Sequence, residues 1–380
     1  MKKFAKLLLI SIMIIASVLS FAACDGNSDK DSSAGIVCKR LTGDDFYTVI
    51  GYNAEENETT LDISAKAKAK YGDNVVIGRI RTGAFDGNTT LKEITVTDET
   101  ENGTLTIDEG AFKNMRALNK ITLPFVGASR ISDADYNETE PAMGDAIKAT
   151  DKERSFGYIF GEEENSASSK ITFTYGEVSG QTADFYIPVA LNEIVIDASK
   201  EINIPMYAFC GLTRVETVEL KGSINAIGRA AFKNMDKLSK VTMPDGEKGV
   251  KSIKDDAFSG CVKLKDITLP NSLTSIGEGV FKDCNKLKYN EEDGRNCLYL
   301  GNVDNKYLIL VKANSTDINA CTVNKNTKFI YGYAFTDCEN LINVTFDDTQ
   351  ENWGKISKSF YWDYMSKVAH IVCSDGTIDL

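Results

Sequence analysis

The sequence predicts a β-rich solenoid in which short strands and short helical turns repeat along the chain. One phrase recurs about every 25 residues and reads roughly I-x-x-x-A-F-x-x-C/M/N-x-x-L-x-x-I-x-L-P. Apolar and polar residues alternate at the end of each copy, which is typical of a strand with one buried face. Each copy also contains a phenylalanine, which predicts an aromatic column in the core.

Copies of this phrase cover most of the chain from residue 80 to residue 346. A repeat of this length completes its core only by stacking on the next copy, so we expect one elongated domain. The copies are Ile80–Val96, Ile107–Pro124, Ile204–Leu220, Ile227–Pro244, Ile253–Pro270, Ile276–Leu287 and Ile330–Phe346. Their phenylalanines are Phe85, Phe112, Phe209, Phe232, Phe258, Phe281 and Phe335.

One copy illustrates the predicted turn of the solenoid. Residues 264–270 alternate as a short strand, which Pro270 ends because it has no N–H for a strand ladder. A second short strand is expected near residues 273–276. It leads to a turn that is too short for an α-helix, so a helical or 3₁₀ turn is expected to carry Phe281 inward.

These residues resemble the BspA-like leucine-rich repeat surface proteins of bacteria. The likeness is fullest in Ile227–Phe232 and in Ile276–Cys284. Phe46–Tyr52 resembles the hairpin that opens such solenoids, and Val372–Thr377 resembles part of a terminal cap. The resemblance implies a leucine-rich-repeat solenoid that is extracellular and associated with adhesion and surface interactions.

The predicted organisation has four parts. Residues 1–23 form a lipoprotein signal peptide, and residues 24–35 form a flexible tether. Residues 36–346 form the solenoid with an N-terminal hairpin cap, and residues 347–380 form a C-terminal cap. An insert with an internal β-hairpin interrupts the repeats from about 126 to 188, where two alternating segments flank a glycine-containing turn.

The first 24 residues predict export and a lipid anchor. Lysines at the start precede an uncharged, mostly aliphatic run, and Phe21–Cys24 resembles the lipobox of bacterial lipoproteins. Cleavage before Cys24 would leave a lipidated cysteine on the outward face of the cell membrane. The polar segment Asp25–Gly35 would then act as the tether. An ordinary secretory signal and an N-terminal anchor helix are the alternatives.

The composition limits the possible partners. The chain has 55 acidic and 43 basic residues, and this excess of acid disfavours nucleic acid and anionic lipid. Beyond the first 24 residues, no segment is long and apolar enough to span a bilayer. Attachment to the membrane is therefore expected to depend on Cys24 alone.

The cysteines predict interior positions, and no cofactor is expected. Cys261, Cys284 and Cys338 each lie three residues after a phenylalanine, where other copies have Met, so they are expected to be buried free thiols. A disulfide between Cys261 and Cys284 on neighbouring turns is the alternative. With one histidine and no C-x-x-C pair, a zinc site is not expected.

Outward columns of residues are the first candidate binding face. Thr95, Thr122, Thr242, Thr268 and Thr345 follow the central aliphatic residue of their copies, and Lys120 and Lys240 precede it. A flat polar face of this kind suits a protein or glycan partner in the extracellular space. The bland alternative is that threonine is there for its preference for strands.

Aromatic residues near the C-terminus are the second candidate contact. Trp353, Tyr361 and Trp362 would stack on sugar rings in a glycan-capture protein, which is the alternative function. The structural alternative is that they close the exposed end of the solenoid. The insert is a third candidate, because inserts in repeat arrays often map to the binding face.

The sequence does not predict an enzyme. His370 is the single histidine, and on a strand its spacing places it on the opposite face from Cys373. The chain has so many carboxylates that their number alone does not exclude a glycosidase-like pair of catalytic carboxylates. The sequence singles out no such pair. Asp133–Asn137 begins like a calcium loop and lacks the glycine and glutamate that an EF-hand requires.

Overall fold

The computed structural model describes residues 34–40, 43–131, 152–175 and 181–380. The signal sequence, Cys24 and nearly all of the tether lie outside the described residues, as does Asp133–Asn137. Within the described ranges the chain forms many short strands and two short α-helices, α1 (Ile63–Tyr71) and α2 (Gln350–Lys355).

The strands, in chain order, are β1 (Gly35–Lys39), β2 (Tyr47–Asn53), β3 (Thr60–Asp62), β4 (Ile77–Ile80), β5 (Glu93–Thr95), β6 (Thr106–Ile107), β7 (Lys120–Leu123), β8 (Ser168–Tyr175), β9 (Gln181–Pro188), β10 (Glu193–Ile204), β11 (Thr217–Ile227), β12 (Lys240–Thr242), β13 (Ser252–Ile253), β14 (Asp266–Ile267), β15 (Ser275–Ile276), β16 (Asn290–Glu291), β17 (Cys297–Leu300), β18 (Ile309–Ala313), β19 (Cys321–Val323), β20 (Phe329–Ile330), β21 (Asn343–Phe346), β22 (Ser357–Lys358), β23 (His370–Cys373) and β24 (Gly376–Asp379). Short 3₁₀ segments occupy Lys152–Arg154, Phe156–Phe160 and Gly246–Lys248.

The largest sheet confirms the predicted solenoid. Seven strands lie side by side in the order β14-β12-β11-β10-β7-β5-β3, and β13 and β15 continue from β11. All neighbours in this sheet are parallel, because each strand pairs with the equivalent strand one turn along the chain. The central aliphatic residues, such as Ile94 and Ile121, pair in register and are fully or almost fully buried, except for Ile267 in β14, which is partly buried. Burying each such side chain is worth about 1.5–3 kcal/mol.

The predicted aromatic column is present and forms the second wall of the core. The rings of Phe209, Phe232, Phe258 and Phe281 stack with centroid separations of 5.0, 4.9 and 5.9 Å. Phe85 and Phe112 stack at 5.2 Å nearer the N-terminus. Offset stacking adds about 0.5–1.5 kcal/mol per pair beyond the burial of area.

The turns that carry these phenylalanines share one backbone device. The residue two positions before and the residue two positions after each phenylalanine have left-handed φ angles of +51° to +76°. These residues interrupt the helical turn that was expected, so the segment is a series of i to i+3 turns. The preceding residues are Gly83, Gly110, Tyr207, Ala230, Asp256, Gly279 and Tyr333, and the following ones are Gly87, Asn114, Gly211, Asn234, Gly260, Asp283 and Asp337.

The described part of the insert contains the predicted hairpin and also contributes to the core. Strands β8 and β9 pair antiparallel, and β10 pairs directly with β7, so the large sheet continues without a gap. Phe156 and Phe160 enter the aromatic column, where Phe156 lies 5.3 Å from Phe209 and Phe160 lies 6.5 Å from Phe112. The insert therefore provides two rings for the column where the repeat phrase is absent. Without these rings, the core would contain a cavity at this point.

Hairpins form both ends of the described chain. Strands β1 and β2 pair antiparallel near the N-terminus, as Phe46–Tyr52 predicts. Strands β23 and β24 pair antiparallel near the C-terminus, next to α2. A further hairpin of β17 and β18 precedes the last full copy of the repeat.

The sequence left two possibilities open for Cys261 and Cys284, namely free thiols or a disulfide between them, and the structure shows free thiols. Cys261 and Cys284 are buried free thiols, and their Sγ atoms donate to the carbonyl oxygens of Phe232 and Phe258 at 3.0 and 3.1 Å. Burial raises the pKa of Cys284 to about 12, so this thiol stays protonated and unreactive. The disulfide instead joins Cys297 in β17 to Cys321 in β19.

Candidate binding surface

One outward column of the large sheet contains five charged residues of both signs and two threonines. The register of the parallel strands places these residues side by side across seven neighbouring strands. Opposite charges on adjacent strands attract, whereas like charges would repel. In order across the sheet, the column is Thr60, Glu93, Lys120, Glu193, Thr217, Lys240 and Asp266.

The two predicted lysines differ in their surroundings. Lys120 Nζ lies 2.5 Å from the Glu193 carboxylate, and this hydrogen bond raises the pKa of Lys120. Exposed pairs of this kind are worth about 0–1 kcal/mol. Lys240 is exposed and lies between Thr217 and Asp266. Lys240 is therefore the more accessible cation of the two.

The threonine column is less continuous than the sequence suggests. Thr95 and Thr122 pair directly, but the next strand contributes Val195, which is only 3% exposed. Thr242 is half-buried, and Thr345 lies in a separate sheet on β21. The register then continues from Val195 through Glu219 to Thr242, and Thr268 follows the end of β14.

The terminal tryptophans close the core. Trp353 and Trp362 are 4% and 9% exposed, and their ring centroids are 5.9 Å apart. Trp353 also packs on Phe346, and Trp362 packs on Phe335. Because both indoles are covered by protein, they are not free to stack on a sugar, and only Tyr361 of the three predicted aromatic contacts remains partly exposed.

A different aromatic group is exposed beside them. Phe360 is 83% exposed, Met365 64%, Tyr333 51% and Tyr364 50%. The repeat phrase did not single out Tyr333, because its position two residues before the phenylalanine varies between copies. The sequence does show a cluster of aromatic residues at 360–364, which could have indicated an aromatic surface here. It does not indicate which of these rings face solvent.

Two titratable side chains of the cap lie within hydrogen-bond distance of each other. His370 Nδ1 lies 2.7 Å from Asp379 Oδ1, across the hairpin of β23 and β24. Cys373 is buried on the other face of β23.

Among the residues that the structure describes, no three His, Cys, Asp or Glu side chains are grouped closely enough to hold a metal ion. No helix of the described ranges is long and apolar enough to cross a membrane.

Parallel short strands stacked against a column of phenylalanines define a leucine-rich-repeat solenoid. The sequence profile of the BspA type leucine rich repeat region matches the chain in six copies, over residues 73–139, 182–293 and 313–375. These ranges cover more than half of the chain, which therefore belongs to this family. No protein with curated annotation is significantly similar to it.

Solved structures of other bacterial leucine-rich repeat proteins are similar to parts of the chain. The T. pallidum protein TpLRR is 17% identical, with 67% of this chain and 88% of that chain covered and a TM-score of 0.34. A protein from Bacteroides ovatus is 20% identical, with coverages of 84% and 71% and a TM-score of 0.33. A leucine rich cell surface protein from Faecalibacterium prausnitzii is 16% identical, with coverages of 87% and 97% and a TM-score of 0.29.

Proposed function

We propose that this chain is a non-enzymatic lipoprotein of the bacterial cell surface that binds an extracellular protein, as an adhesin does. The proposed contact is the outward face of the large sheet, and the column of five charged residues and two threonines across seven strands is the observation that carries this proposal. Membership of the BspA-type family supports a binding role at the cell surface.

The physical character of this face suits recognition of a folded partner. The strands hold their side chains in a fixed register, so little conformational entropy is lost on binding. Complementary charges favour the correct partner and raise the association rate more than they raise affinity. Extended surfaces of stacked repeats serve this purpose in other solenoids.

Export and anchoring form the second part of the proposal. Cys24 would carry the lipid, and the segment up to residue 35 would hold the solenoid away from the membrane. The disulfide between Cys297 and Cys321 supports export, because disulfides persist in oxidising compartments.

The test is a binding screen of the chain against immobilised extracellular-matrix and cell-surface proteins. We expect saturable binding that the substitution Lys240→Glu weakens by roughly tenfold, because it reverses an exposed charge in the column. Lys325→Glu makes the same charge change at an exposed turn outside the sheet and is expected to leave binding unchanged.

The melting temperature separates binding from folding in this test. Lys240→Glu is expected to lower it only slightly, since the new carboxylate would lie beside Asp266 but both side chains are exposed to solvent. Lys120→Glu is a poorer probe, because it would place two carboxylates where Lys120 and Glu193 now pair. Equal binding by the Lys240→Glu and Lys325→Glu variants, or no saturable partner, would refute the proposed face.

A further inference from the structure

The aromatic column is interrupted after Phe281, and a groove lies at this point. The apolar core divides here into two clusters, one ending around Tyr331 and the other containing Phe335 and the two tryptophans. The groove has a volume of about 560 Å³ and lies between the turn around residues 279–285 and the turn around residues 331–333. This volume is within the range of small-ligand sites, about 300–1,000 Å³.

Aromatic side chains form the apolar part of the groove. Phe281, Tyr289, Tyr331 and Tyr333 all line it. The Tyr331 hydroxyl accepts a hydrogen bond of 3.0 Å from the backbone N–H of Phe281, which ties the two sides of the groove together. A site preorganised in this way loses little entropy when a ligand enters.

Polar side chains of both charges form the rest of the groove. Lys282, Asp283 and Asn285 are exposed on one side and Lys312 on the other. Among the described residues, no hydrogen bond or ion pair engages the side chains of Lys282, Asp283 and Asn285. These groups are therefore available as donors and acceptors. Their mixed charge, in a chain of net charge −12, does not favour an anionic ligand.

The groove continues into the exposed aromatic group through Tyr333. The rings of Tyr333 and Tyr361 stack at 5.7 Å with an angle of 14° between their planes. Phe360 meets Tyr361 edge-on at 4.8 Å and is itself almost fully exposed. The Phe360 backbone N–H donates to Glu278 Oε1 at 3.2 Å, which fixes this turn to the rim of the groove.

Tyr333 occupies a backbone position that does not favour a tyrosine. Its φ of +63° is left-handed, and three other copies have glycine there, at Gly83, Gly110 and Gly279. This conformation is unfavourable for a residue with a Cβ, because the Cβ approaches the following carbonyl oxygen. Tyr207 has the same conformation but packs against the core, whereas the ring of Tyr333 is half exposed. The Tyr333 ring packs on Tyr361 and Tyr364 at the surface, and residues held in a left-handed conformation in this way are typical of functional sites.

We propose that the groove and the adjoining aromatic group together bind a neutral carbohydrate chain. A pyranose ring has an apolar C–H face and a rim of hydroxyl groups. The exposed rings match the first, and the lysine, aspartate and asparagine side chains match the second. The site is separate from the sheet face and does not depend on the protein partner proposed above.

The experiment is calorimetric titration of the full chain with a panel of neutral hexasaccharides, namely cello-, malto-, xylo- and mannohexaose. At least one is expected to bind saturably, with an affinity that differs little between low and high salt because no charges are neutralised. Tyr333→Gly is expected to weaken this binding at least tenfold. This substitution suits the left-handed backbone, so its cost to folding is mainly the loss of the ring's contacts with Tyr361 and Tyr364.

Two further variants complete the test. Phe360→Ala removes an exposed ring and is expected to weaken binding severalfold. Val303→Ala truncates an 89% exposed apolar side chain that does not line the groove and is expected to change nothing. The proposal is overturned if no hexasaccharide binds saturably, or if Tyr333→Gly and Val303→Ala bind equally. It is also overturned if no saccharide binds and Tyr333→Gly abolishes capture of an immobilised protein. In that case the groove and the adjoining aromatic group contact a protein.

Discussion

Single residues beside the phenylalanines determine whether each turn can close. The position two residues after the phenylalanine is Gly, Asn or Asp in all seven turns, because these residues tolerate the left-handed conformation best. The preceding position is less restricted and includes Ala230 and two tyrosines. The repeat phrase alone did not indicate either left-handed position, since the constraint concerns the backbone and not the hydrophobic pattern.

Gly87 allows this constraint to be tested without a steric clash. Its φ is +71°, and an added Cβ would meet no atom within 4 Å. Gly87→Ala is therefore expected to lower the free energy of unfolding by about 1 kcal/mol through backbone strain alone. The measurement is urea denaturation followed by circular dichroism.

Gly354 is the matched control for Gly87. It lies in α2 without a left-handed φ, and an added Cβ again meets nothing within 4 Å. Gly354→Ala is expected to raise stability by about 0.5–1 kcal/mol, because alanine is the better helix former. A loss of stability in both variants would contradict the proposed role of the left-handed backbone.

The turns act as elements through the aromatic column that they carry. Phe258 is fully buried between Phe232 and Phe281. Phe258→Ala is expected to lower the free energy of unfolding by about 3–5 kcal/mol, because it leaves a cavity in a close-packed column. Chemical denaturation of the two proteins provides the comparison.

Phe360→Ala is the control at the same scale. The same atoms are removed from a side chain that is 83% exposed, so the expected loss is below about 0.5 kcal/mol. A loss of less than about 1 kcal/mol for Phe258→Ala would mean that the column does not hold the turns together.

The insert shows the limit of prediction for an element. Alternation predicted its hairpin, which β8 and β9 confirm. The segment Phe156–Phe160 lacks the repeat phrase, yet it fills the aromatic column between Phe112 and Phe209. Its role depends on where the neighbouring turns leave space, and no local pattern encodes that space.

At the scale of the whole molecule, the solenoid is proposed to stand on a lipid-anchored tether. Cys24→Ser removes the only thiol in the predicted lipobox, so the chain is expected to move from the membrane fraction to the soluble fraction of producing cells. Cys38→Ser is the matched control, because Cys38 lies in β1 and should not affect anchoring. Retention of the Cys24→Ser chain in membranes would instead favour an N-terminal anchor helix.

The sequence by itself determined the repeat, the aromatic column of the seven copies and the hairpins. The repeat and the column follow from a pattern that recurs in every copy, because stacking of similar units allows one consistent arrangement. Each hairpin follows from local alternation around a turn. Tertiary structure alone decided that Cys297 pairs with Cys321 while Cys261 and Cys284 stay free. It also decided that Trp353 and Trp362 are covered while Tyr333 and Phe360 face solvent. Which side chains meet and which remain exposed depends on contacts between distant segments at an irregular end of the solenoid, where the repeat no longer constrains the chain.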